Sequence, residues 1–179
     1  MRRLAKEINI GKVKIGGNNP IAVQSMTNTD TRDYEVTIKQ IKSLEAAGCE
    51  IVRLAVLNEE AARALRIIKS QVNIPLVADI HYDYRLAIEA VAAGVDKIRI
   101  NPGNIGSADR VKAVAEACRS RNVPIRIGVN SGSLEKEILA RYGSPTPEAL
   151  RDSALYHASL LERWDFTDIV LSLKSSHVP

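Results

Sequence analysis

The sequence has few cysteines, few aromatic residues and no long apolar run. Of 179 residues only Cys49 and Cys118 are cysteines, and they stand far apart, outside any Cys-x-x-Cys or Cys/His cluster. We therefore expect two reduced, packed thiols rather than a disulfide framework or a metal site. No apolar stretch approaches the roughly 18–20 residues that cross a bilayer, and the first residues lack the apolar segment of a signal peptide. These absences predict a cytoplasmic protein with no membrane partner.

The chain also has only a small excess of charge of one sign. Lys and Arg together number 25 against 21 Asp and Glu, which leaves a net charge of +4, and aromatic residues make up 4% of the chain. The basic residues are scattered singly, so the sequence has neither a polybasic run nor a set of aromatic rings for base stacking. This composition argues against a nucleic-acid partner and is compatible with an anionic small molecule.

Apolar runs alternate with amphipathic stretches along the whole chain. The predicted strands cover 21–26, 51–56, 76–81, 97–101, 125–130 and 169–174. The predicted helices cover about 34–47, 58–71, 84–93, 107–121 and 147–163, the last with Thr146 as N-cap and Pro147 at its first position. Repeated strand–helix units joined by short loops predict a parallel sheet with right-handed crossovers.

Two pairs of similar segments point to a barrel. Residues 46–54 (AAGCEIVRL) align with 92–100 (AAGVDKIRI), and 73–81 (NIPLVADIH) align with 122–130 (NVPIRIGVN). With no GxGxxG after the first strand, this recurrence favours a (β/α) TIM barrel over an open dinucleotide-binding sheet. A complete barrel takes about 200–250 residues. We therefore expect an incomplete barrel, with about six of eight βα units, from the front part of a longer protein.

Alternation along the strands sorts their side chains into two faces. The apolar face is expected to pack beneath the helices and comprises Val52, Leu54, Ala78, Ile80, Ile98, Ile100, Ile125, Ile127, Val129, Leu171 and Leu173. The polar face lies toward the C-terminal strand ends, where barrel enzymes place their sites. It comprises Arg53, Asp79, His81, Arg99, Asn101, Arg126, Asn130 and Lys174.

The polar face predicts an anion-binding site. The cations Arg53, Arg99, Arg126 and Lys174 share one carboxylate, that of Asp79. Facing one cavity, they would repel one another unless an anion lies among them. An internal salt-bridge network would explain one or two of the arginines, but not all four cations.

Two loops add candidate donors for an anion. The loop 101–106 (NPGNIG) contains Gly103 and Gly106, whose backbone freedom lets N–H groups turn toward a phosphate. The loop 130–137 (NSGSLEKE) offers Ser131 or Ser133 as a helix cap. Beside inward arginines, these loops indicate a diphosphate rather than a carboxylate.

The histidines are less informative. For His81, two interpretations stay open: a structural hydrogen-bond partner, or a group that binds the anion or transfers a proton beside Asp79. His157 and His177 have no comparable polar neighbours in the strand pattern. We therefore expect no site role for these two.

Several motifs together resemble one known family. In chain order they are PIAVQSMTNT, PLVADIHYDYRLA, KIRINPGNIG, PIRIGVNSGSLEKE, YGSPTPEAL and SLKSS. From about Ile8 to its last residues, the chain resembles the N-terminal domain of 4-hydroxy-3-methylbut-2-enyl diphosphate synthase. The resemblance implies that residues 1–179 are a substrate-binding TIM barrel similar to dihydropteroate synthase, without the family's C-terminal iron–sulfur domain.

The resemblance also implies a reaction. Enzymes of this family reductively open 2-C-methyl-D-erythritol 2,4-cyclodiphosphate in the methylerythritol phosphate route to isoprenoids. They act as homodimers with flavodoxin or ferredoxin as electron donor and a [4Fe–4S] cluster. The family's substrate-binding positions correspond to Arg53, Asp79, His81, Arg99, Asn101, Arg126, Asn130, Ser131 and Lys174, with Asp79 and His81 as the catalytic candidates. The cluster ligands belong to the C-terminal domain, so no metal is expected in this chain, and the chain alone is expected to lack reductase activity.

Other interpretations stay open at this point. A different phosphate-binding barrel enzyme, of the pterin-synthase or aldolase type, would use a similar anion site, and Lys174 is the lysine near a strand end that a Schiff-base aldolase needs. A non-catalytic diphosphate-binding fragment is a further alternative. In each case the incomplete barrel leaves two sheet edges unpaired, which predicts self-association or poor solubility.

Overall fold

The computed structural model describes residues 4–175 and contains a parallel sheet of six strands beside a small hairpin. The hairpin pairs β1 (Ile8–Ile10) with β2 (Val13–Ile15) in antiparallel fashion. The parallel sheet runs in the order β3 (Gln24–Met26), β4 (Ile51–Ala55), β5 (Leu76–Asp79), β6 (Lys97–Ile100), β7 (Ile125–Asn130) and β8 (Ile169–Lys174). Each strand lies beside the next one in sequence, which is the winding of a TIM barrel. The expected fold, a barrel represented by six strands, is confirmed.

Helices connect the strands and cover the outer face of the sheet. They are α1 (Tyr34–Ala46), α2 (Glu59–Gln71), α3 (Tyr84–Ala93), α4 (Pro102–Ile105), α5 (Ala108–Ser120), α6 (Lys136–Tyr142) and α7 (Pro147–Glu162). A 3-10 turn at Ser131–Ser133 precedes α6. The five long helices expected from the sequence are confirmed to within one residue at each end.

Capping residues explain why the long helices begin and end where the sequence predicts. Asp33, Asn58 and Thr146 each accept a hydrogen bond from a backbone N–H group in the first turn of the helix that follows. Helix α3 ends at Gly94, whose φ of 94° lies in the left-handed region that favours glycine. These signals are local, so they can be identified without knowing the fold.

The N-terminal part of the chain differs from the expectation. The hairpin β1–β2 was not predicted, although its alternating residues on either side of Gly11 carry the signal of a tight turn. The first barrel strand begins at Gln24 rather than at residue 21. Just before it, the Val23 N–H donates to the carboxylate of Glu50 instead of to a neighbouring strand.

The apolar strand face packs beneath the helices, as expected, on β4 to β7. Its members there are all buried: Val52, Leu54, Ala78, Ile80, Ile98, Ile100, Ile125, Ile127 and Val129. The expectation is wrong for Leu171 and Leu173 on β8, which are 43% and 49% exposed. Strand β8 lies at the edge of the described sheet, so its outer face receives less helix cover than the central strands do.

The hairpin covers the inner face of the sheet at the N-terminal ends of the strands. Ile10 packs there against Ile51 and Val77, which begin the inner rows of β4 and β5. The hairpin does not fill this end completely, since a cavity lined by Ile10, Gln24, Ile51 and Lys97 remains beside it. Within residues 4–175, no helix has both the length and the apolar character required to cross a membrane.

We expect Ile10→Ala to destabilise the protein, because the Ile10 side chain is fully buried against the sheet. The loss in free energy of unfolding should be about 2–4 kcal/mol, measured by urea denaturation. Ile21→Ala is the matched control, since Ile21 is 77% exposed, and its effect should stay within about 0.5 kcal/mol. Equal losses for the two variants would show that the hairpin does not contribute to the core.

Candidate anion-binding site

Asp79, the last residue of β5, is the central carboxylate of the site and is buried. Its Oδ1 accepts a hydrogen bond from Nη1 of Arg99 at 3.0 Å, and its Oδ2 lies 3.6 Å from Nε of Arg53. Nε2 of His81 lies 3.6 Å from the same Oδ1. One carboxylate is therefore shared by two guanidinium groups and an imidazole. The structure thus brings together four of the residues expected in the site.

Arg126 extends this cluster across the sheet without a carboxylate of its own. It stands beside Arg99 in the register of β6 and β7, and its Nη2 donates to the Oγ of Ser172 at 2.6 Å. Burial, with the charges of Arg53 and Arg99, lowers the pKa of the Arg126 guanidinium, and Asp79 only partly opposes this effect. The fold therefore holds Arg126 in a position where its charge is disfavoured.

Lys97 is an inner-face cation that the sequence analysis missed. It lies two residues before Arg99 at the start of β6, is 3% exposed, and its Nζ lies 3.4 Å from Oε1 of Gln24. Burial, together with the charges of Arg126 and Arg53, lowers the pKa of Lys97 to about 8. The alternation that selected Arg99 also selects Lys97, so the signal for it was present in the sequence.

The remaining candidates lie at the C-terminal ends of the strands. Asn130 and Lys174 end β7 and β8 and are paired in the register. Asn101 follows β6 and caps α4, and Ser131 begins the 3-10 turn after β7. All four lie along one edge of the sheet, and Lys174 is exposed.

Gly128 on β7 provides the space that Arg99 occupies. A Cβ atom at this position would lie 2.7 Å from both Nε and Nη2 of Arg99, so the guanidinium would have to shift to make room for a side chain. Because Arg99 donates to Asp79, such a shift would disturb that hydrogen bond. The absence of a side chain at Gly128 therefore leaves room for the Arg99–Asp79 pair.

The loop expectations are partly wrong. The N–H of Gly103 does not remain free for a phosphate, because it donates to Oδ1 of Asn101 at 3.1 Å and to Nδ1 of His157 at 3.2 Å. Neither Ser131 nor Ser133 caps a helix: they lie in the 3-10 turn, and α6 begins after Glu135 without a side-chain cap. Short-range preferences indicated caps, but contacts with α7 decide how these loops are arranged.

His157 also differs from the expectation that it lacks polar neighbours. It is fully buried on α7, and its ring contacts the backbone of Gly103 and the carboxylate of Glu135. These partners come from distant parts of the chain, so strand alternation gives no sign of them. His177 lies outside the described residues.

The two cysteines do not form a site for a metal or an iron–sulfur cluster. Burial raises the pKa of Cys118 to about 12, so its thiol stays protonated. The Sγ of Cys49 donates to the carbonyl oxygen of Ile51 at 3.1 Å. Across residues 4–175, His, Cys, Asp and Glu side chains form no group of three or more that could hold a metal ion.

Comparison with known proteins identifies a family. The model of the GcpE TIM-barrel domain matches residues 5–179. The chain is 63% identical over its full length to the 4-hydroxy-3-methylbut-2-en-1-yl diphosphate synthase (flavodoxin) of Caldanaerobacter subterraneus subsp. tengcongensis, of which it covers 50%. It is 58% identical over 99% of its length to the protein of the same name from Clostridium perfringens, of which it covers 51%. The chain thus spans about half the length of the curated relatives it matches.

Solved structures with little sequence similarity share the fold. The dihydropteroate synthase of Yersinia pestis superposes with a TM-score of 0.67 at 10% identity, covering 92% of this chain and 61% of that protein. The phospho-2-dehydro-3-deoxyheptonate aldolase of Thermotoga maritima superposes with a TM-score of 0.64 at 17% identity, covering 93% of this chain and 45% of that protein. The expected likeness to dihydropteroate synthase is confirmed at the level of fold.

We expect Gly128→Ala to destabilise the protein, because the new Cβ displaces the Arg99 guanidinium from Asp79. The loss in free energy of unfolding should be about 1–3 kcal/mol in urea denaturation. Gly132→Ala is the control, since a Cβ there meets nothing within 4 Å, and it should change stability by less than about 0.5 kcal/mol. A Gly128→Ala variant as stable as the control would contradict the close packing of Arg99.

Lys97→Met should raise stability at neutral pH. The pKa of Lys97 is lowered to about 8 in the folded protein, against about 10.4 in an unfolded chain. The folded state therefore binds the proton less tightly, and the penalty is fully present below pH 8 and disappears as pH rises through about 10.4. Removing the charge should stabilise the fold at pH 7 by up to about 3 kcal/mol.

The measurement is urea denaturation at pH 7 and at pH 9.5. The gain from Lys97→Met should shrink strongly at the higher pH. Lys39→Met is the control, because Lys39 is exposed on α1, and the difference between this variant and the parent should not depend on pH. A gain from Lys97→Met of equal size at both pH values would show that the buried lysine carries no charge penalty.

Proposed function

Because the chain belongs to the GcpE TIM-barrel domain family, we propose that it is the substrate-binding barrel of a 4-hydroxy-3-methylbut-2-en-1-yl diphosphate synthase. The proposed substrate is 2-C-methyl-D-erythritol 2,4-cyclodiphosphate, which the enzyme opens reductively in isoprenoid biosynthesis. The proposed binding residues are Arg53, Asp79, His81, Arg99, Asn101, Arg126, Asn130, Ser131 and Lys174.

The excess of cations on the strands is the observation that carries this proposal. The six strands described for the parallel sheet contain a single carboxylate, Asp79, and the cations Arg53, Lys97, Arg99, Arg126 and Lys174. Of these cations, Asp79 contacts Arg53 and Arg99. No ion pair within residues 4–175 joins the other three cations to a carboxylate. A diphosphate bound beside Arg126 would compensate the positive charge that Asp79 leaves unpaired there.

The chemistry of the arginines suits a diphosphate. A guanidinium group presents a planar set of N–H donors that matches two phosphate oxygens at once. Arg99 uses Nη1 for Asp79, and Arg126 uses Nη2 for Ser172, so each keeps further donors available for a ligand. Asp79 and Ser172 would thus orient the two guanidinium groups and leave most of their charge for the substrate.

The proposed contribution of this chain to the reaction is electrostatic. When the ring of the cyclic diphosphate opens, a C–O bond breaks and negative charge develops on the departing phosphate oxygen. Arginines held in place beforehand stabilise that charge without having to reorganise. Asp79 and His81 lie next to each other, and one of them would orient the hydroxyl-bearing part of the substrate or carry a proton.

The redox part of the proposal rests on the family resemblance. The proposed electron donor is flavodoxin or ferredoxin, the proposed cofactor is a [4Fe–4S] cluster, and the proposed assembly is a homodimer. The described residues do not fit such a cluster, since Cys49 and Cys118 do not belong to any group of potential ligands. We therefore assign no electron-transfer step to this chain and expect it to bind the substrate without reducing it.

Arg126→Met should weaken diphosphate binding and leave the fold intact. Removing a charge-assisted contact to a phosphate costs about 1.5–3 kcal/mol, which corresponds to a loss of roughly tenfold to more than a hundredfold in affinity. Because Arg126 is a cation without a carboxylate partner whose pKa is lowered, its removal should keep or raise the free energy of unfolding. Binding of pyrophosphate and of the cyclic diphosphate is measured by titration calorimetry, and stability by urea denaturation.

Arg66→Met is the matched control, because Arg66 is exposed on the outer helix α2. It should leave the affinity unchanged. Lower affinity combined with unchanged or higher stability is the expected signature of a residue kept for ligand binding. If Arg126→Met binds both ligands as tightly as the parent chain, the anion-site proposal is wrong.

A further inference from the structure

A buried histidine on α7, outside the sheet, connects the two loops that border the proposed site. His157 lies on α7, has no exposed surface, and belongs to none of the strands that carry the arginines. Its ring lies between the loop after β6 and the loop after β7. The first of these loops begins with Asn101, and the second begins with Ser131, directly after Asn130 at the end of β7.

The hydrogen bonds of His157 define one arrangement of its ring. Nδ1 accepts from the backbone N–H of Gly103 at 3.2 Å, and Nε2 is hydrogen-bonded to the carboxylate of Glu135. An acceptor role for Nδ1 requires that the ring proton be on Nε2, from which it is donated to Glu135. Both ring nitrogens are then satisfied by loops that are far from α7 in sequence.

The electrostatics agree with this arrangement. Burial lowers the pKa of His157, although Glu135 opposes this effect, so the ring stays neutral near pH 7. Burial by itself would raise the pKa of Glu135, but hydrogen bonds from its own backbone N–H, from Ser153 and from His157 outweigh burial and lower it. A neutral imidazole thus donates to an ionised carboxylate.

Gly103 lies so close to the histidine that no other residue fits. A Cβ at Gly103 would lie 2.5 Å from Cε1 of His157 and 3.2 Å from Nδ1. The φ of Gly103 is not in the left-handed region, so the backbone conformation alone does not explain this glycine. The contact with the histidine does.

The backbone N–H of Gly103 links His157 to Asn101, one of the proposed substrate-binding residues. Gly103 donates to Oδ1 of Asn101 as well as to Nδ1 of His157. With Oδ1 of Asn101 used as an acceptor, the side-chain NH2 group, which is the donor half of the amide, remains for an anion. An amide turned the other way would present an oxygen to the phosphate and repel it.

We propose that His157 is a positioning residue: it holds the loops after β6 and β7 together and, through Gly103, keeps Asn101 oriented as a hydrogen-bond donor to the bound diphosphate. This inference rests on the proposed function for the identity of the ligand. The contact between His157 and Gly103 does not depend on that identity. The two parts can therefore be tested separately.

Two substitutions separate the two nitrogens of the ring. His157→Asn keeps an acceptor at the place of Nδ1 and removes the contact with Glu135. His157→Gln keeps a donor at the place of Nε2 and removes the acceptor for Gly103. We expect His157→Gln to weaken binding of the cyclic diphosphate by about three- to tenfold, the effect of one lost hydrogen bond, and His157→Asn to bind within about twofold of the parent.

The readouts are titration calorimetry on the folded chain and hydrogen exchange of the Gly103 amide followed by NMR. Exchange of the Gly103 amide should become faster in His157→Gln and stay close to the parent rate in His157→Asn. In the Asn101→Ala background, His157→Gln should cause no further loss of affinity, because both changes act through one contact.

The outcomes distinguish the contact between His157 and Gly103, here called the clamp, from the identity of the ligand. If the parent chain binds no diphosphate but exchange at Gly103 follows the expected order, the proposed function fails and the clamp stands. If both variants lose stability, bind with the parent's affinity per folded molecule and show unchanged exchange at Gly103, His157 is a core residue only and the inference is overturned. Additive losses in the Asn101→Ala background would likewise rule out action through Asn101.

Discussion

The shortage of carboxylates on the inner face of the sheet is the constraint on which the rest of this structure depends. Asp79 is shared by Arg53 and Arg99, and Arg126 and Lys97 are held nearby with lowered pKa values. Burying like charges together costs free energy, and a sequence selected for stability alone would not retain them. The folded chain therefore holds a strained charge distribution, which the proposed anion would relax.

The surrounding elements keep this arrangement in place. The hairpin packs against the N-terminal ends of the strands through Ile10. Gly128 leaves room for the guanidinium of Arg99, and Ser172 directs that of Arg126. On the outside, His157 joins the two loops that border the site. Rigid placement of the donors is what makes an electrostatic site effective, since no energy is spent on reorganising them.

The sequence predicted the shared face of the charged cluster because strand alternation is a strict rule. It placed Arg53, Asp79 and Arg99 on one face, and the structure joins these three directly. It missed Lys97, although the same rule places this lysine on the face of Arg99, two residues earlier at the start of β6. It was wrong for Leu171, since alternation assigns a face but does not say whether a helix covers that face at the edge of a sheet.

By itself the sequence determined the order of strands and helices, the polar face of the sheet and the resemblance to one family. Each of these follows from local patterns, because helix caps and strand alternation depend on neighbouring residues. Only the tertiary structure decided that Asp79 pairs with Arg99, that Arg126 lacks a carboxylate partner among the described residues, and that His157 contacts Gly103. Those contacts depend on strand register and on the packing of α7, which bring together residues 20 to 54 positions apart in the chain.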